Sequence, residues 1–120
     1  MRKTNATNPE LLSTIRFLKK QSAENKTGIW RDIAERLAKP ERKRITVNLS
    51  RLNRYTKKND AVAVPGKVLG SGEISHQVTV AAFAFSESAR QKIIAANGKC
   101  VSFSDLAKKN PKGSEIRIIG

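Results

Sequence analysis

The apolar run Val78–Phe85, broken only by Thr79, limits the fold more than any other stretch of the chain. Eight residues cannot span a bilayer as a helix. Rich in β-branched and aromatic side chains, the run reads instead as a strand buried on at least one face. The segments beside it extend that reading. Ser86 caps a helix through Ala96, with Glu87 in its first turn and Asn97-Gly98 as its stop. Lys99 to Val101 begins a new strand, and Ser102-Phe103-Ser104-Asp105 resembles a capping box for a short helix ending near Asn110-Pro111. Ile116 to Ile119 is a terminal strand. Upstream, Ala61 to Val64 alternates into a turn expected at Pro65-Gly66, Lys67 to Leu69 follows, and Gly70-Ser71-Gly72 reads as a second turn. The expected class is α/β, within the 120 residues of one ordinary domain.

The first half has a different texture. Asn8-Pro9-Glu10 opens a helix with an N-cap acceptor, a proline at the first helical position and an acid at the positive end of the dipole. Leu11, Ile15 and Leu18 share one face of it. Gly28 interrupts, and Trp30, Ile33, Ala34 and Leu37 restart a helical stripe that Pro40 must close. Trp30 reads better as packing between these two helices than as a stacking platform for a nucleotide. Residues 39–58 carry eight basic side chains and one acid, interleaved with Ile45, Val47, Leu49, Leu52 and Tyr55. Asn48 or Ser50 can cap a short helix there, turning Leu49 and Leu52 inward and Arg51 and Arg54 outward.

Charge narrows the function. The chain has 24 Lys plus Arg against 10 Asp plus Glu, a formal net charge of +14. Residues 1–60 hold 16 of those basic side chains and 6 of the acids. Such a surplus expects a polyanion. A hydrophobic content of 38% excludes a wholly disordered basic tail. In residues 39–58, Arg42, Lys43, Arg44, Arg51, Arg54, Lys57 and Lys58 can neutralise phosphates, and Asn48, Ser50 and Asn53 can add neutral hydrogen bonds. Tyr55, flanked by cations, sits where a base or ribose contact is expected.

Catalytic readings find little support. Gly66 to Gly72 lacks the lysine after the last glycine that a phosphate loop requires, and lacks the strand-loop-long-helix setting of a dinucleotide site. A pair of turns presenting Lys67 to a phosphate backbone is the plainer reading. His76 stands alone in a polar loop. Cys100, the single cysteine, excludes an intramolecular disulfide and reads as a small core residue. No spacing of acids suits a two-carboxylate or two-metal site. The basic start has no apolar segment behind it, so the chain reads as cytoplasmic, with no membrane partner, no small-molecule substrate and no cofactor.

Three stretches carry a resemblance: Ile29 to Leu37, Val47 to Thr56 and Val64 to Gly70. With Val78 to Phe83, Phe85-Ser86, Asn110 to Ser114 and Ile118 to Gly120, the chain closely resembles the archaeal and eukaryotic large-subunit ribosomal protein eighteen, called eighteen-e, in its short archaeal form. The resemblance implies an irregular array of β-β-α units shared with large-subunit ribosomal protein fifteen, behind a basic helical N-terminal half. It implies a structural, non-enzymatic component of the large subunit, with large-subunit rRNA and neighbouring ribosomal proteins as partners. Residues 1–58 are then the rRNA-binding region and 59–120 a compact α/β region, in one structural unit. The expected contacts are Arg2, Lys3, Arg31, Gly66 and Lys67 together with those named in residues 39–58. Two rivals stand against this reading: a DNA-coating architectural protein, and an RNA-directed enzyme using the glycine-rich loop and His76.

Overall fold

The computed structural model describes residues 9–39, 45–113 and 115–119. Within them the element order is α1 (Pro9–Asn25), α2 (Gly28–Leu37), β1 (Ile45–Asn48), α3 (Leu49–Tyr55), β2 (Asp60–Leu69), β3 (Val78–Phe85), α4 (Glu87–Ala95), β4 (Lys99–Val101), α5 (Phe103–Lys109) and β5 (Ile116–Ile118). The class is α/β, with the expected helical first half. The expected cap at Asn8 and stop at Pro40 lie outside the described residues.

All five strands form one parallel sheet in the order β1-β2-β3-β4, with β5 also on β2. Strand alternation divides the side chains between two cores. Ala63, Ala81 and Ile116 face α1, α2 and α5, where Leu11, Leu18, Trp30, Ile33, Leu37 and Phe103 are buried. Val62, Val64, Val68, Val78 and Val80 face α3 and α4, packing on Leu49, Leu52, Ala89 and Ile93. A parallel sheet covered on both faces reads as near-continuous apolar sequence, which is why Val78–Phe85 stood out. Trp30 is fully buried and its indole donates to the Pro111 carbonyl at 2.6 Å, fixing α2 to the end of α5.

The capped helices form as their sequences predict. Ser86 Oγ accepts from the Ala89 amide and Ser102 Oγ from the Asp105 amide. Asn97 takes a left-handed φ of 66° just past α4, a conformation asparagine tolerates.

Two expectations fail at β2. The turn expected at Pro65-Gly66 is absent, and β2 continues through both residues with a register shift between Val64 and Lys67. Proline has no ladder donor, and a bulge is where a strand interior tolerates it. The same spot divides the outer edge of β2 between two neighbours: β5 pairs with Ala61 to Ala63, and β1 with Gly66 to Leu69. Gly66 is buried, and a Cβ there would lie 2.1 Å from the Ile45 carbonyl oxygen. Its glycine serves the approach of β1, not a surface loop. Ile45 to Asn48, read from sequence only as part of a basic segment, is the edge strand β1.

The second expected turn, at Gly70 to Gly72, is instead the start of an extended return. Residues 70–77 carry the chain back from the end of β2 to the start of β3. Parallel crossovers usually take a dozen residues or more. Eight residues reach roughly 28 Å at full extension, so this link is nearly taut and leaves no room for a helix.

At the start of β2, Asp60 accepts from the Lys57 amide at 2.8 Å and from Arg117 Nη2 at 2.7 Å. The Lys57 N–H first, and the Arg117 guanidinium second, hold its carboxyl below the ordinary value of 3.8. A lowered carboxyl pKa contributes stability that is complete above the unfolded value and is lost as pH falls through the folded one. Asp60→Asn is expected to flatten the acid limb of the thermal-midpoint profile below about pH 4, with little change in that slope above pH 5. Gly66→Ala is expected to cost about 2–4 kcal/mol in a denaturant titration, because β1 must move off β2.

Candidate nucleic-acid interface

The cations of residues 45–58 are held by a short helix with a buried seam. Asn48 is the residue before α3 and has extended backbone angles, yet its side chain makes no capping bond. The Ser50 amide, an orphan donor of the first turn, is satisfied from elsewhere, donating to the Ser71 carbonyl at 3.1 Å. Leu49 and Leu52 are fully buried, leaving Ser50, Arg51, Arg54 and Tyr55 on the solvent side. The Arg51 guanidinium lies 5.9 Å from the Tyr55 ring centroid, and Tyr55 is 52% exposed. Lys57 and Lys58 follow in the turn that Asp60 secures. Among the described residues, Arg51, Arg54, Lys57 and Lys58 form no ion pair.

The taut link 70–77 is threaded between α3 and α4. Asn53 Oδ1 accepts from both the Ser75 amide at 3.0 Å and the Ser75 hydroxyl at 2.9 Å. The buried Thr56 hydroxyl donates to the Leu52 carbonyl at 2.6 Å, so the His76 Nε2–H must donate to Thr56 Oγ1, also at 2.6 Å. From α4, Lys92 Nζ donates to the Gly70 and Gly72 carbonyls at 2.9 and 2.8 Å and pairs with Glu73 at 3.4 Å. A Cβ on Gly70 would strike Ser88, and one on Gly72, whose φ is 89°, would strike Ser50. These glycines admit the link into a narrow slot, and their carbonyls, not their amides, meet the nearest cation.

The residues expected to act together therefore separate. Asn48, Ser50, Arg51, Arg54, Tyr55, Lys57 and Lys58 lie on or beside α3. Asn53 is beside them, but its carbonyl oxygen is committed to the link. Arg31 is on α2, on the opposite side of the sheet, and pairs with Glu35 at 3.4 Å. Lys67 is exposed, but it projects from the face opposite Val68, beside Thr46, and so also away from α3. Gly66 is buried and reaches no surface. Arg2, Lys3, Arg42, Lys43 and Arg44 lie outside the described residues. Sequence reasoning did not single out Lys92, whose role depends on a neighbour 20 residues away.

The sparse catalytic candidates are also placed. His76 is tied to Thr56. Cys100 is half-buried beside the α3/α4 core, and desolvation pushes its thiol pKa up, which opposes formation of the nucleophilic thiolate. Among the described residues no group of three His, Cys, Asp or Glu side chains is placed to hold a metal ion, and no helix is long and apolar enough to cross a membrane.

Layered α/β packing that holds Arg51, Arg54, Lys57 and Lys58 exposed on and beside one short helix, with no ion pair to them among the described residues, defines a basic α/β protein. The chain belongs to the family described as ribosomal protein 60S L18 and 50S L18e, whose model matches residues 1–120. It is 49% identical over 119 residues to the large ribosomal subunit protein eL18 of Archaeoglobus fulgidus and 46% identical over 119 residues to that of Methanococcus maripaludis, covering 99% of each chain in both pairs. The eL18 of Methanoregula boonei is 51% identical over 113 residues, 94% of this chain and 93% of the relative. The family is one of structural ribosomal proteins, not of enzymes.

Asn53→Ala is expected to remove both bonds to Ser75 and to cost about 1–2 kcal/mol. Hydrogen exchange should quicken across residues 70–77 while the amides of β3 keep their protection.

Proposed function

We propose that the chain is a structural constituent of the large ribosomal subunit, associated with ribosomes in the cytoplasm, and that it binds large-subunit rRNA through the cations on and after α3. The observation that carries this reading is the presentation of Arg51, Arg54, Lys57 and Lys58, with no acidic partner among the described residues, over the buried Leu49 and Leu52. Solvated charge on a helix is ordinarily balanced by acids three or four residues away. α2 follows that habit, pairing Arg31 with Glu35 and Arg36 with Asp32. α3 does not.

Arginine on such a helix meets phosphates in a bidentate way, while the two lysines act as point charges at its end. Ser50 adds a hydroxyl suited to phosphate or ribose. The half-exposed Tyr55 ring, with Arg51 over it, offers a surface to an unstacked base. These contacts read shape and backbone more than sequence. Neighbouring ribosomal proteins complete the list of partners.

The experiment is co-sedimentation of the tagged chain from lysate in a sucrose gradient at about 0.5 M salt, beyond weak non-specific phosphate binding. Stoichiometric recovery in the large-subunit peak is expected; recovery free or on duplex DNA would favour an architectural DNA-coating role. For purified protein on rRNA, Arg51→Ala with Arg54→Ala is expected to reduce the slope of log affinity against log salt by about 1.5–2. An unchanged slope would remove α3 from the interface.

A further inference from the structure

Resting on the RNA-binding reading above, we infer that the cleft between the end of α1 and the start of α2 is a second site for an RNA phosphodiester backbone. Lys19 and Lys26 are its cationic contacts, and the protein thereby joins two RNA segments on opposite sides of its sheet. The cleft has a volume of about 490 Å³. It opens on the outer side of the α1/α2 layer, because the inner sides of those helices are spent on Leu11, Ile15, Leu18, Trp30, Ile33 and Leu37. The α3 cations belong to the layer across the sheet.

The cleft is built, not incidental. The Thr27 amide donates to the Ser22 carbonyl at 3.2 Å, and the Ser22 hydroxyl donates to the Thr27 carbonyl, so the two helix ends are pinned together at its floor. Lys26 forms the corner with φ of 51°, a left-handed conformation that opposes any residue with a Cβ and suits glycine. A glycine would make this corner more cheaply, and the Lys26 ammonium enters no ion pair among the described residues. An observed backbone outlier is a ground for inferring function at that residue.

The chemistry selects the ligand. Lys19 and Lys26 are seven residues apart, roughly 10 Å along a helix axis, and both line the cleft with no ion pair among the described residues. Arg31 and Glu35 also line it and pair with each other at 3.4 Å, so the net positive charge of the cleft rests on Lys19 and Lys26. Among the described residues no aromatic side chain lines the cleft. It therefore offers a nucleic acid contacts to its backbone and none to the faces of its bases.

The test uses the whole protein on transcribed large-subunit rRNA, read by salt-dependent binding and hydroxyl-radical footprinting. Lys19→Ala combined with Lys26→Gly is expected to lower the salt slope by about 1.5–2. It should abolish protection of one RNA segment while keeping the segment that Arg51→Ala with Arg54→Ala loses. Lys26→Gly alone is expected to melt no lower than the parent chain, since it relieves the left-handed corner; a lower midpoint would make the side chain structural and overturn the inference. An unchanged slope with both segments protected would also overturn it. Failure of the parent chain to bind rRNA at all would instead overturn the reading on which the inference rests.

Discussion

One strand organises the molecule. β2 pairs with β3 along one edge and divides the other edge between β5 and β1. The division falls at Val64 and Pro65, which pair with neither of those two neighbours. Proline withdraws a donor where neither neighbour uses it, and glycine lets the first residue of β1 approach closely. From this arrangement follow the two-sided core, the position of α3 immediately after β1, and the taut return to β3.

That return is what makes the charged helix rigid. α3 spans seven residues, too few to be stable by its own hydrogen bonds. It persists because Leu49 and Leu52 are buried below it and because Ser50, Asn53 and Thr56 bond to the link beside it. Lys92 braces the same link from α4. Cations delivered from such a platform lose little freedom on meeting a partner, which is the advantage of a preorganised surface.

Much of this was legible in the residues. α1 and α2 announce themselves through apolar spacing, and the positions that spacing selects are buried, whereas α4 and α5 announce themselves through the caps at Ser86 and Ser102. β3 was visible as an apolar run. β1 was not, since four residues inside a basic stretch carry too short a pattern to separate from the helix that follows. Pro65-Gly66 has the local chemistry of a turn, and the partner that makes it a bulge, Ile45, lies 20 residues earlier. Composition located the cations of α3 correctly on one helix face, but could not assign Arg31 and Lys67 to the other side of the sheet. Nor could it reveal that Asn53 is half spent on the fold, or that Lys19 and Lys26 converge on one cleft.

The divided edge of β2 also sets an order of events. β5 contributes three residue pairs from the far end of the chain, more than 50 residues from its partner. Until Ile116–Ile118 arrive, Ala61 to Ala63 present unpaired amides and carbonyls beside valines made for burial. Such an edge is a template for any passing strand. A chain interrupted before residue 116 would thus keep most of its helices yet become adhesive, so faithful completion of synthesis is itself a safeguard against aggregation.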